Sequence, residues 1–153
     1  NIEVVCADSA EYVATCTDHF DWCYADPDRR GAKGEKLVRL EDCSPDVVEL
    51  MPTLQRVADR ICIKCSPLFD VDEAFRLFGK CGVEVISLGD ECKEVMIYVD
   101  GSTPRLAAEA VGAGRYEVSR EEALKAARAS LFNIDNSAPV RHSGTITYTF
   151  IPQ

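Results

Sequence analysis

A chain of 153 residues of which 46% are hydrophobic has the material for one globular domain with a buried core. Its formal net charge of −9 disfavours the segment as a free-standing grip on nucleic acid, because phosphate binding is driven by lysines and arginines that release counterions. No apolar stretch approaches the ~20 residues of a membrane-crossing helix and nothing resembles a signal peptide, so a cytoplasmic protein without a membrane partner is expected.

The first residue is Asn1 rather than methionine, and it leads at once into residues 2–7, an apolar run that reads as a strand. A longer natural chain upstream is therefore expected. Asp8-Ser-Ala-Glu11 has the form of a capping box and predicts a short helix to about Thr15. Residues 20–25 are aromatic and β-prone, and this second strand stops on Asp26-Pro-Asp-Arg-Arg30. The loop that follows, to Asp42, contains Gly31 and Gly34. It also gathers Arg29, Arg30, Lys33, Lys36 and Arg39, a local basic patch on an acidic chain.

Ser44-Pro45 predicts an N-cap followed by proline at the first helical position. Val47, Val48, Met51, Leu54, Val57 and Ala58 then recur at helical spacing, with Pro52 expected to kink or restart the helix. Residues 61–65 form a short apolar strand that ends on Ser66-Pro67, and Asp70-Val-Asp-Glu73 caps a helix ending at Gly79. Residues 83–88 and 92–99 are separated by only three residues, too few for a crossover, and so predict an antiparallel hairpin. Residues 105–111 read narrowly as strand. Ser119-Arg-Glu-Glu122 opens a helix to about Phe132, residues 133–144 form a polar linker, and residues 145–151 alternate like a strand.

Three strands thus end on polar loops: Asp8-Ser9, Asp26 to Arg30, and Ser66-Pro67. In open α/β sheets, ligands bind at that carboxyl edge, so the three loops are expected to build one site. Cysteines 6, 23, 62 and 65 lie inside apolar runs and are expected as buried thiols rather than disulfides. Cys62 and Cys65 have a zinc-like spacing, but positions i and i+3 of a strand point to opposite faces, so no metal is expected. His19 and His142 are isolated and read as surface residues.

Four motifs, Asp26-Pro-Asp-Arg-Arg30, Val38-Arg-Leu-Glu-Asp-Cys43, Ile63-Lys-Cys-Ser-Pro67 and Glu91-Cys-Lys-Glu94, together resemble the class I S-adenosylmethionine-dependent methyltransferase superfamily. They are most similar to its bacterial branch, in which a THUMP-like domain follows the methyltransferase core. The resemblance covers residues 2–100, with the first and last motifs the most specific. It implies an α/β fold: a partial Rossmann-like sheet, mostly parallel with a C-terminal antiparallel hairpin, and helices on both faces. In the family the strand order is 3-2-1-4-5-7-6, and this chain would enter at the third strand.

Residues 1–100 would then be the C-terminal half of the methyltransferase core. Residues 101–153 would form a following segment (strand, helix, strand) that packs on the core or leads to a further domain. The family's glycine-rich loop after its first strand and the ribose-binding acid of its second have no counterpart here. The missing N-terminal half of the same protein is therefore the first expected partner, with RNA reached through other domains. Without that half, weak or no binding of S-adenosylmethionine is expected, as are unpaired strand edges that favour self-association.

The resemblance also implies roles. In amino-methyltransferases of the superfamily, an Asp- or Asn-Pro-Pro-aromatic motif accepts hydrogen bonds from the target amine, and Asp26-Pro27 matches its first half. Asp28 and Arg29 replace the second proline and the aromatic. Asp28, Arg29, Arg30, Ser66 and Pro67 would contact substrate, with arginine able to stack or bind phosphate. Asp8, with Ser9, would meet the cofactor's adenine. Local readings stand beside these: Asp26-Pro27 as a strand-terminating turn, Asp8 as a plain helix N-cap. Two functions follow. One is part of a methyltransferase acting on RNA or another nucleobase substrate, and the other is a non-catalytic binding module that keeps the fold.

Overall fold

A computed structural model of the chain describes residues 2–88, 91–112 and 114–122. Its elements in order are α1 (Ser9–Thr15), β1 (Phe20–Ala25), a 3-10 turn (Leu40–Asp42), α2 (Val47–Val57), β2 (Ala58–Cys65), α3 (Val71–Phe78), β3 (Gly82–Leu88), β4 (Glu91–Val99), β5 (Arg105–Ala110) and β6 (Gly114–Ser119). The strands make one six-stranded sheet in the order β1-β2-β4-β3-β5-β6. With β1 as the family's fourth strand, β1-β2-β4-β3 reproduces the expected run 4-5-7-6.

The sheet is mixed, which corrects the expectation of a mostly parallel one. β1/β2 and β3/β5 are parallel, whereas β2/β4, β3/β4 and β5/β6 are antiparallel. The cause is twofold: β4 returns through the hairpin to insert between β2 and β3, and β5 and β6 form a second hairpin. Sheet pairing therefore continues across residue 100.

Strand alternation sorts the side chains into two faces. Ile61, Ile63 and Cys65 of β2, Val83 of β3, Val95, Ile97 and Val99 of β4 and Leu106 of β5 form one core cluster, joined by Met51 and Leu54 of α2 and Ala74 and Phe75 of α3. Val13 of α1 packs against it, so the three described helices share one face instead of covering both. The opposite face carries Trp22, Tyr24, Arg60, Cys62, Lys64, Glu84, Met96 and Tyr98. There the Arg60 guanidinium lies 4.7 Å from the Trp22 ring centroid, and Trp22 meets Tyr98 edge-on at 6.5 Å. Buried Glu84 accepts from Tyr98 Oη at 2.9 Å and from Arg115 Nε at 2.6 Å, tying β3 to β4 and β6. Burial, then the Glu84 contact, pushes the Tyr98 phenol above its ordinary range.

Several local expectations change. Residues 2–7 form no strand: they have no regular structure, and Ile2, Val4 and Cys6 are exposed. A strand needs a hydrogen-bonded neighbour, and none of the described strands pairs with this run. Ser44 does not cap α2, because its N–H and C=O bond Asp28 across the loop at 3.1 and 2.7 Å. Asp46 caps instead, accepting from Val48 and Glu49 N–H at 2.9 and 3.0 Å, so Pro45 lies before the helix. The helix runs on through Pro52, which faces solvent while Val47, Met51, Leu54 and Val57 are buried. β6 was not anticipated.

The Ser119–Glu122 capping box is formed, with the Ser119 N–H and hydroxyl donating to the Glu122 carboxylate and the Glu122 N–H donating back to Ser119 Oγ. Most of the helix expected from there, the 133–144 linker, the 145–151 strand and His142 lie outside the described residues. Cys62 and Cys65 occupy opposite faces of β2, where burial pushes their thiols up to about 11 and about 12. Among the described residues no helix is long and apolar enough to cross a membrane.

His19 ties the start of β1 to the start of β2. Its Nδ1 lies 3.1 Å from the Arg56 carbonyl oxygen and its Nε2 2.9 Å from Asp59 Oδ1. Both partners only accept, so both ring nitrogens must donate, which only the imidazolium can do. The Asp59 bond first, and the Arg56 carbonyl second, raise the His19 pKa above its ordinary 6.5. A raised folded-state pKa means that the contribution of this bridge is complete below the unfolded value and is lost as pH rises through the folded one. NMR titration should place the His19 midpoint above ~6.5, and Asp59→Asn should lower it. An unchanged midpoint in Asp59→Asn would remove the ion pair from this account.

Candidate functional site

The parallel pair β1/β2 ends with Ala25 opposite Ile63, and both chains then turn outward. Between the two turns lies a cleft of about 540 Å³ lined by Asp26, Pro27, Asp28, Arg29, Arg30, Lys36, Leu37, Ser66, Pro67 and Lys93. The structure thus brings the strand-end residues of 26–30 and 66–67 to one place. A smaller recess of about 220 Å³ shares Asp26 and Pro27 and is otherwise mostly apolar, with Val13, Ala25, Val47, Leu50 and Leu54 in its wall and Ser9 at its edge. Asp8 lines neither space; its Oδ1 accepts from the N–H groups of Ala10 and Glu11 at 2.9 and 3.0 Å and caps α1.

Local hydrogen bonds shape the loop. The Arg30 N–H donates to Asp28 Oδ1 at 3.1 Å, and the Leu37 N–H donates to the Arg29 carbonyl at 2.8 Å, folding the basic segment back over the end of β1. Pro27 is buried and directs the chain out of the strand. The Asp28–Ser44 pairing closes the loop's base.

Lys64 was missed as a site residue. Its Nζ donates to Asp26 Oδ2 at 2.8 Å and lies 4.0 Å from Glu94 Oε2. The Asp26 hydrogen bond is the largest cause of a raised Lys64 pKa, so the ammonium holds its proton more firmly than a free lysine. A lysine inside an otherwise apolar strand was the available signal, but its partner depends on the β1/β2 register. Asp26 Oδ1 takes no hydrogen bond among the described residues. The site therefore presents one Asp26 oxygen held by Lys64 and one able to accept.

For S-adenosylmethionine, the described residues fit in part. The recess offers mostly apolar walls and the Ser9 side chain to a flat adenine, while Asp8 stands outside it. No glycine-rich backbone cradle for the methionine end stands beside it among the described residues.

No protein-family model matches the sequence, and no curated protein matches it. The fold is similar to a crystal structure of a candidate methyltransferase from Porphyromonas gingivalis W83, with a TM-score of 0.55 and 23% identity over 76% of this chain. This chain spans 29% of the length of that protein. At this identity the likeness is one of fold: the chain has a methyltransferase-like α/β fold.

Proposed function

We propose that this chain forms the acceptor-positioning part of an S-adenosylmethionine-dependent methyltransferase, a cytoplasmic bacterial protein of the branch with a THUMP-like domain, acting on RNA or another nucleobase substrate. The observation that carries this reading is the convergence of Asp26, Arg29 and Ser66 in one cleft at the carboxyl ends of adjacent parallel strands, within a methyltransferase-like sheet. When bound, the cofactor supplies an electrophilic methyl carbon. The remaining task is to place a nucleophile in line and expose its lone pair.

An exocyclic amine is a poor nucleophile because its pair is delocalised into the base. Asp26 Oδ1 accepts a hydrogen bond from such an amine and raises the electron density on its nitrogen, while Lys64 keeps the other oxygen in place. Pro27 fixes the direction in which Asp26 leaves β1. Asp28, Arg29 and Arg30 form one wall against the substrate and Ser66-Pro67 the other, and Ser9 with Asp8 meets the adenine. The N-terminal half of the same protein would supply the missing cradle, and residues 101–153 would lead toward a further domain. The outer edge of β1, unpaired among the described strands, is where another strand or a second copy would add.

On this reading the isolated chain binds S-adenosylmethionine weakly or not at all, as calorimetry can check. Micromolar binding by this chain alone would show that its own residues hold the methionine end. The binding-module reading is favoured by one observation, the Lys64 ammonium that already neutralises Asp26. Turnover of Asp26 variants decides between the two.

A further inference from the structure

We infer that Arg56 is a positioning residue for the cofactor: it docks α1 against α2 and so keeps the recess between them formed. This deepens the proposed function and rests on its assignment of that recess to the adenine. α1 supplies one wall of the recess through Ser9 and Val13, and α2 another through Val47, Leu50 and Leu54. Little within α1 would hold that wall in place. The helix is seven residues long and none of them is fully buried. Without tertiary contacts, helices shorter than about 12–15 residues are marginal in water. Of its side chains only Val13 packs against the core cluster, and its last turn carries no basic residue of its own.

Arg56, in the last turn of α2, supplies that anchor from outside. Its Nη2 donates to the carbonyls of Val13 and Ala14 at 2.8 and 3.2 Å, and its Nη1 donates to the carbonyl of Cys16 at 2.8 Å. These carbonyls lie where the helix ladder runs out, so the guanidinium both satisfies them and opposes the negative end of the helix dipole. A planar fork reaches all three at once, which the compact ammonium of a lysine does not. The Arg56 carbonyl in turn accepts from His19 Nδ1 at 3.1 Å. The connection from α1 to β1 is thus pinned to one residue at both of its ends. Val13 links the clamp to the site, because its carbonyl is held by Arg56 while the residue lines the recess.

The test compares Arg56→Met with the parent in the intact protein. Methionine suits a helix about as well as arginine, so α2 is kept while the fork is lost. Amide hydrogen exchange of residues 12–16 should quicken about tenfold or more while the amides of β2 and β4 stay protected. The dissociation constant for S-adenosylmethionine, read by calorimetry, should rise about tenfold, the scale of one lost hydrogen bond to a charged group. At saturating cofactor, kcat and the KM for acceptor should be those of the parent, a split that general weakening of the fold would not give. Arg56→Lys, with the charge but not the fork, should recover part of the affinity. Arg60→Met, which removes the guanidinium stacked on Trp22 on the opposite face, should leave exchange of α1 and cofactor affinity unchanged. Parent-like exchange of α1 in Arg56→Met overturns the inference, and so does a loss of protection spread evenly over the sheet. A parent-like dissociation constant in a variant whose α1 has loosened overturns it as well. Failure of the parent to transfer a methyl group would instead sink the enzyme reading, and exchange together with cofactor binding would still decide the role of Arg56.

Discussion

Asp26→Ala in the intact protein should lower methyl-transfer turnover about a hundredfold or more at saturating cofactor, the scale of losing one preorganised polar contact that strengthens in the transition state. The effect should fall on turnover more than on cofactor affinity, because Asp26 would hold the acceptor, whereas the smaller recess, which it also lines, keeps the apolar wall of Val13, Val47, Leu50 and Leu54. Lys64 sharpens the experiment. Removing the carboxylate leaves its ammonium, 26% exposed, with Glu94 Oε2 at 4.0 Å as its remaining partner, so a melt must accompany each assay. Asp26→Asn keeps an acceptor oxygen and the turn but loses the ion pair. If Asp26 serves only to end the strand, the Asn variant keeps both fold and activity. Near-normal turnover in a folded Asp26→Ala protein would rule out the catalytic assignment and leave the binding module ahead.

The largest expected loss of stability is at Ile97. It is 0% exposed and sits in β4, the strand inserted between β2 and β3, opposite Ile63 of β2 on one side and Val83 of β3 on the other. Ile97→Ala removes buried carbons that lie between Ile63 of β2 and Val83 of β3 and leaves a cavity that a sheet, fixed by its ladders, fills poorly. The expected cost is ~2–5 kcal/mol, against ~0.5–1.5 kcal/mol for Ile97→Val. At about 2–4 °C per kcal/mol for a chain of this size, the alanine variant should melt well below the parent. Equal melting points for the two variants would mean that β4 is not the packed centre of this sheet.

What could be read from the chain alone was local. Asp8, Asp70 and the Ser119–Glu122 pair announce helix starts because a cap and its target N–H groups lie two or three residues apart, and all three are formed. The hairpin of β3 and β4 follows from a connection too short to cross over. The polar ends of β1 and β2 were legible for the same reason: an apolar run that stops on Asp26-Pro27 or Ser66-Pro67 marks its own boundary.

Contacts between distant residues were decided only by the tertiary structure. Residues 2–7 have the composition of a strand, yet strand formation depends on a neighbour's hydrogen bonds, which composition does not encode. Ser44 lost the cap to Asp46 because Asp28, sixteen residues earlier by number, claimed its backbone. The alanine-rich β5 became strand through its parallel pairing with β3, and β6 through β5. The pairing of Lys64 with Asp26 likewise depends on the β1/β2 register. Secondary structure and strand ends follow from neighbours in sequence, whereas the charge state and reach of the cleft follow from neighbours in space.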